Sequence, residues 1–205
     1  MKKSHIILII GFILLIIYSE INNRLIDNSN IVVNYNKYLE SELETLRGFK
    51  VDDKLDLVLS KIKYRNMYGS DLVIYRGFND FLKKGDAVLT NDGLVGIVKK
   101  TYKDSSIVDL ITSRDSAISV KINDEYGILK CINNNMVVTD INNYSNISIG
   151  DKIYTSGLGN INKDIYVGIV KDIKLNNTGI EKIIYVDIGN RLNNLNYLYI
   201  WRSLW

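Results

Sequence analysis

Proline is missing altogether from the 205 residues, and histidine and cysteine occur once each, as His5 and Cys131. A single cysteine forms no intramolecular disulfide. Nucleophilic centres of the Ser/His/Asp or Cys/His kind need an imidazole beside the nucleophile, and His5 flanks an N-terminal apolar run. Structural zinc needs four nitrogen or sulfur ligands, more than the chain contains. No catalytic, cofactor-binding or metal-binding residue is therefore nominated. The missing proline accompanies a skew in which Ile and Asn fill 56 positions and Lys outnumbers Arg 19 to 7. Such a skew is that of a biased nucleotide composition, so single Asn residues are not read as selected turns or glycosylation sites.

A basic face is also missing. Of the formal net charge of +3, the first 19 residues supply +2 through Lys2 and Lys3. Residues 20–69 hold eight basic and eight acidic side chains, and residues 70–205 hold 16 and 15. Attraction to phosphates needs concentrated positive charge, so nucleic acid is not an expected partner. What remains, 46% apolar and 24% charged residues, is ordinary globular usage.

Lys2 and Lys3 precede Ile6–Ile17, a run without charge. With Ser4, His5, Tyr18 and Ser19 it would make about 24 Å of helix, short for a bilayer core of about 30 Å unless Lys2, Lys3 and Arg24 snorkel. No small-x-small cleavage pattern follows it, so residues 1–19 read as a cytoplasmic tip and an uncleaved transmembrane anchor rather than a secretory signal. The lysines predict a single pass with the N-terminus in the cytoplasm and the bulk of the chain outside the cell membrane.

Residues 20–50 read as a short coiled-coil helix. Spacings alternating four and three align Ile21, Leu25, Asn28, Val32, Tyr35, Leu39, Glu42 and Leu46, ending near Gly48. The apolar members, Ile21, Leu25, Val32, Tyr35, Leu39 and Leu46, form a candidate seam for a homodimer. The competing reading is an amphipathic helix lying on its own domain.

Beyond residue 55 the period becomes two. Ile118, Val120 and Ile122 share one face; Ile165, Val167, Ile169, Ile173 and Leu175 a second; Ile184, Val186 and Ile188 a third. Turn signals such as Asn91-Asp92-Gly93 and Asn133-Asn134-Asn135 separate them. Short strands at such intervals predict an all-β sandwich or barrel. A repeat sharpens this. Gly85-Asp86-Ala-Val-Leu-Thr90, Gly93 and Val95-Gly96-Ile-Val-Lys99 return as Gly150-Asp151-Lys-Ile-Tyr-Thr155, Gly157 and Val167-Gly168-Ile-Val-Lys171. Gly85 and Gly150 fit positive-φ turns whose Asp side chains bond local amides, and Gly96 and Gly168 fit sharp bends within strands. The fold class is mainly β, with an N-terminal transmembrane helix and a coiled-coil helix followed by two tandem small β-barrels, assigned to residues 55–145 and 146–205.

Sharper chemical readings have plainer rivals. Ser156-Gly-Leu-Gly159 lacks the spacing and the helix of a phosphate loop. Asp86, Asp92 and Asp151 are carboxylates of the type that cleaves glycosides, yet each stands in a turn context. Tyr166 and Tyr185 read as packing residues and Cys131 as a small buried hydrophobe. Trp201 and Trp205 either rest on a membrane surface or close a barrel edge.

Lys84-Gly85-Asp86, Asp92-Gly-Leu-Val-Gly-Ile-Val98, Ser106-Ile-Val-Asp-Leu-Ile-Thr112, Tyr126-Gly-Ile-Leu129 and Gly150-Asp-Lys-Ile-Tyr-Thr-Ser-Gly-Leu-Gly159 leading to Val167-Gly-Ile-Val170 form an ordered set. Their order and spacing resemble the rod-shape-determining MreC family over most of residues 71–190. Ile161-Asn162-Lys163-Asp164 stands where that family usually has a Phe-Pro-x-Gly turn. The resemblance implies a non-enzymatic bitopic membrane scaffold of the cell-wall elongation machinery, which binds and helps activate a class B penicillin-binding transpeptidase. It also implies an MreD-like membrane protein and the MreB filament system as partners. A periplasmic adaptor of an export complex is the alternative, since adaptors also join an anchor, a coiled coil and β domains. For a scaffold the receiving surface is expected at an exposed β edge or an inter-barrel groove, with Gly150–Val170 as the preferred contact region.

Overall fold

The structure is a computed structural model and describes residues 15–20, 37, 56–66, 70–159, 161–193 and 195–203. The chain divides into two units, 1–49 and 50–205. In the first, residues 15–20 are helical and Leu15, Ile16, Ile17 and Tyr18 are exposed. Among the described residues no helix is long and apolar enough to cross a membrane. All six seam residues lie outside the described residues, as does most of the expected anchor.

The second unit consists of two closed six-stranded barrels. One contains β1 (Leu57–Arg65), β2 (Asp71–Ile74), β3 (Ala87–Thr90), β4 (Gly93–Thr101), β5 (Ser106–Leu110) and β12 (Tyr197–Trp201), closed in the order β1-β12-β3-β4-β5-β2. The other contains β6 (Ala117–Ile122), β7 (Glu125–Ile132), β8 (Asn135–Asn142), β9 (Lys152–Thr155), β10 (Tyr166–Leu175) and β11 (Glu181–Asp187), closed as β10-β11-β8-β7-β6-β9. The strand pairing therefore redraws the sequence-based cut at residue 146. Strands β6 to β8 belong with the second repeat, and β12 returns to the first barrel, where Tyr199 pairs with both Leu59 and Leu89. The barrels are nested in sequence rather than tandem, because β12 fills the gap that β1 and β3 would otherwise leave open. Trp201 sits in that closing strand, opposite Leu57 and Ala87; Trp205 lies outside the described residues.

Strand alternation fills the interiors. In β5, Ser106, Val108 and Leu110 point inward while Ile107 and Asp109 are half-buried, and in β6 the expected Ile118, Val120 and Ile122 are buried. Ile184 and Val186 are buried and Ile188 packs against them. The face read for β10 is corrected. Ile165 and Val167 are buried, but Ile169 and Leu175 are exposed and Val170 takes the inward position. Register shifts at Tyr166/Gly168 and Val170/Asp172 cause this, since each extra residue sends the following side chain to the opposite face.

The first barrel's core is Leu72, Ile74, Val88, Val98, Val108, Leu198 and their neighbours. The second barrel's core runs on into residues of the first, namely Ala87, Leu94 and the connecting Ile111. Leu94 and Ile111 are fully buried at this joint, and burial of such a side chain stabilises by about 1.5–3 kcal/mol.

Candidate interaction surface between the barrels

The repeat builds one corner in each barrel. Gly85 and Gly150 adopt φ of 101° and 94°, and their amides donate to the carbonyls of Val98 and Val170 at 2.9 and 2.8 Å. Asp86 Oδ2 accepts the Lys83 amide at 2.7 Å, and Asp151 Oδ2 accepts the Ser148 amide at 2.8 Å. Gly96 and Gly168 lie where a strand passes close beneath its neighbour. A Cβ there would meet the Asp109 carbonyl oxygen at 2.3 Å and the Asp187 carbonyl oxygen at 2.4 Å. The two copies thus share amide bonds, strand crossings and the bulge that follows, at Val98/Lys100 and Val170/Asp172.

The carboxylates of the repeat are engaged structurally. Asp86 is fully buried, and its Oδ1 accepts the Ser203 amide and hydroxyl at 2.9 and 3.0 Å. Asp151 also accepts from Asn123 Nδ2 at 2.8 Å. They occupy equivalent turns of separate barrels. Arg202 pairs with Asp56 and donates to the Asp80 carbonyl at 3.3 Å, so the end of β12 is clasped to the beginning of β1. The Asp56 carboxylate, chiefly by its hydrogen bond, raises the Arg202 pKa.

Both barrels are closed, so the expected exposed β edge is absent among the described residues; the inter-barrel groove is present as two crevices. One, of about 410 Å³, lies between β4, β5, the start of β6 and the loop after β9. Ile97, Val98, Ala117 and Ile118 supply apolar lining, Lys84, Lys99 and Asp109 supply charge, and Leu158 and Ile161 come from the loop. Asp109 Oδ1 is buried without a hydrogen-bond partner, 3.8 Å from Lys99 Nζ. Leu158 is 56% exposed. The loop is held by Ser156, whose hydroxyl donates to Ser119 Oγ at 2.8 Å and accepts the Leu158 amide at 3.1 Å. Gly157 takes φ of 78° against Lys163, and Asp164 takes φ of 64°. Thr155 Oγ1 closes the far side, donating to the Asn162 carbonyl at 2.6 Å and accepting the Ile165 amide at 2.9 Å.

The second crevice, about 490 Å³, is lined by Asn91, Asp92, Tyr166, Ile169 and Asp187–Arg191. Sequence reading missed its central residue. Arg191 is 6% exposed, donates from Nε to the Ile188 carbonyl at 2.7 Å and from Nη1 to the Tyr166 carbonyl at 3.4 Å, and lies 5.3 Å from the Tyr166 ring centre. Burial lowers its pKa, against the opposing influence of Tyr166, Asp92 and Asp187. Tyr154 meets Tyr166 edge to face at 5.8 Å. Gly93, with φ of 121°, completes the contact: a Cβ there would lie 2.3 Å from the Tyr166 carbonyl oxygen and 2.5 Å from Arg191 Nη1. Gly93 belongs to the first barrel and Tyr166 to the second, so this is where the barrels are fastened together.

Comparison with known proteins places these features in a family. The family model "Rod shape-determining protein MreC, barrel core" matches residues 62–202. The cell shape-determining protein MreC of Streptococcus pneumoniae is 42% identical over 92 residues, which are 40% of this chain and 34% of that protein. The match therefore spans about a third of the length of that relative. An MreC structure from Listeria monocytogenes superposes with a TM-score of 0.68 at 23% identity, covering 88% of this chain and 91% of that one. A complex between penicillin-binding protein PBP2 and MreC from Helicobacter pylori gives a TM-score of 0.59 at 19% identity, covering 73% and 99%.

Proposed function

Since the chain belongs to the MreC family of rod shape-determining proteins, we propose that it is a non-enzymatic scaffold of cell-wall elongation which binds a class B penicillin-binding transpeptidase. The observation that carries this reading is the family match over both barrels, supported by the Helicobacter relative seen in complex with PBP2. In the same reading residues 1–19 anchor the chain in the cell membrane with the N-terminus inside, residues 20–50 pair with a second copy, and an MreD-like protein and MreB filaments are further partners. The transpeptidase is helped into its active state by being held, which needs a surface rather than a reacting centre.

The crevice beneath Leu158 is the proposed contact. It joins an exposed leucine to apolar lining flanked by the charges of Lys84, Lys99 and Asp109. The export-adaptor alternative has no comparable support: what interrupts the first barrel is a second barrel, not a helical hairpin.

The test is calorimetry of the full chain in detergent with the extracytoplasmic part of a class B transpeptidase. Binding is expected, and Leu158→Asp weakens it by about tenfold or more, as central anchors of interfaces do. Equal affinity of wild type and Leu158→Asp removes the crevice from the interface. Peptidoglycan cleavage by the purified protein, abolished in Asp86→Asn or Asp151→Asn, overturns the scaffold reading itself.

A further inference from the structure

Both described phenylalanines are on the surface. Phe78, 55% exposed, opens the 3-10 turn Phe78–Asp80 between β2 and β3, and Phe81, 73% exposed, follows it. Tyr75 and Tyr102 join them at 53% and 44%. These rings share one end of the first barrel. The Phe78 amide donates to the Tyr102 carbonyl at 2.9 Å, the Asn79 amide to the Lys103 carbonyl at 3.2 Å, and Gly77 packs so closely on the 102–105 turn that a Cβ there would sit 2.1 Å from the Tyr102 carbonyl oxygen.

The turn is braced to hold the rings outward. Asp80 accepts from the Gly77 amide at 3.0 Å and from Arg76 Nη1 at 2.9 Å. Phe81 sits in the left-handed region at φ 63°, a costly conformation for a bulky side chain that persists only where its surroundings impose it. Rings this exposed bury only part of their apolar surface on folding.

Basic side chains surround them. Lys63 Nζ lies 5.5 Å from the Tyr75 ring centre and Lys100 Nζ 5.0 Å from that of Tyr102. Arg76 and Lys103 are also exposed. The acids nearby are engaged within the patch, Asp80 by Arg76 and Asp104 by Asn79 Nδ2 at 2.8 Å. The start of β1 lies at this same end. Asp56 pairs with Arg202, which donates to the Asp80 carbonyl, while Arg76 Nε donates to the Leu59 carbonyl at 3.1 Å.

We propose that this aromatic, lysine-flanked end of the first barrel rests on an anionic lipid surface. The inference rests on the membrane-anchored reading above. Phe enters the interfacial layer, Tyr spans its apolar and wet sides, and the cations meet lipid phosphates. Each basic side chain near an anionic leaflet strengthens association about fivefold, so the patch orients a tethered barrel although it is too small to hold one alone.

The test uses the full chain with Cys131→Ser and a single environment-sensitive fluorophore at Phe81→Cys, or at Tyr144→Cys in the second barrel, where the native side chain is 91% exposed. The protein is reconstituted into vesicles of phosphatidylcholine mixed with phosphatidylglycerol, or of phosphatidylcholine alone. With the anionic lipid the Phe81 label is quenched by headgroup nitroxides and shielded several-fold from aqueous iodide, and the Tyr144 label is not. The combined Lys63→Glu, Lys100→Glu and Lys103→Glu variant loses the shielding. A Phe81 label as open to iodide as the Tyr144 label overturns the proposal, as does shielding that needs an added protein instead of lipid. An alkaline wash decides the anchor separately: release of the chain refutes anchoring, whereas the label readout before the wash decides the patch.

Discussion

Gly93→Ala tests how the barrels are fastened. The added methyl falls 2.3 Å from the Tyr166 carbonyl oxygen and 2.5 Å from Arg191 Nη1, at a backbone φ of 121°. Holding an L residue there costs about 1–3 kcal/mol. Relief of the overlap requires Tyr166 and Arg191 to withdraw, which sacrifices a hydrogen bond from a buried cation worth about 1.5–3 kcal/mol. Together these come to about 2.5–6 kcal/mol, a large fraction of the stability of an ordinary domain, about 5–15 kcal/mol. Gly150→Ala is the control: φ is 94°, but nothing lies within 4 Å of the new Cβ, so only conformational strain applies. Urea unfolding is followed through Trp201, which packs against the joint, with Trp205→Phe as the background. Gly93→Ala is expected to lose about 2 kcal/mol more than Gly150→Ala, the difference being the lost cation contact. Equal losses would mean that the joint yields without cost and that Arg191 fastens nothing.

A segment cut at residue 70 lacks β1, leaving β2 and β12 with unpaired edges. Such edges recruit other chains, so residues 70–205 are expected to self-associate in light scattering while residues 56–203 stay monomeric; the same mass for both refutes the closure by β1. Burial raises the Tyr199 pKa above its ordinary 10.0. The folded state then keeps a proton that the unfolded chain releases, so the stability linked to Tyr199 is complete below pH 10 and declines as pH rises through the folded value. Tyr199→Phe should flatten this alkaline decline in urea midpoints; an unchanged slope assigns it to other groups. Arg202→Ala should free the 56–59 and 201–203 segments to exchange amide hydrogen faster while β6 to β11 keep their protection; uniform change along the chain refutes a local clasp.

Sequence patterning revealed strands better than it revealed partners. The alternation in β6 and β11 translated directly into buried Ile118, Val120, Ile184 and Val186. In β10 it failed, because two bulges shift the face and no residue type announces a bulge unambiguously. The Gly-Asp repeat was readable because a positive φ and a close strand crossing exclude most side chains. Nesting was not readable: β1 and β12 pair across most of the described chain, and a two-residue period carries no address for such a partner. Arg191 left one usable signal. In a chain with 19 Lys and 7 Arg, arginines held against the skew are the informative cations, and Arg65, Arg76, Arg191 and Arg202 all donate to carbonyls distant or near. A planar guanidinium bridges several acceptors where an ammonium offers a point charge.

Nesting has a consequence for how the barrels are held. The chain passes between the barrels twice, through residues 111–116 and 188–196, and each passage is turned by its own backbone bonds, Ser113 to Leu110 and Asn193 to Asn190. Each is also pinned by apolar contacts, through Ile111 in one and Ile188 and Leu192 in the other. A single flexible link leaves two domains free to rotate, and proline is the usual means of stiffening it. Here there are two passages, and the second carries the buried Arg191 that bonds the Tyr166 carbonyl, so rotation of one barrel against the other would have to break both. The crevices are then part of the closed fold itself, so a molecule binding in either would not have to order the barrels, and that saving in conformational entropy would appear as affinity.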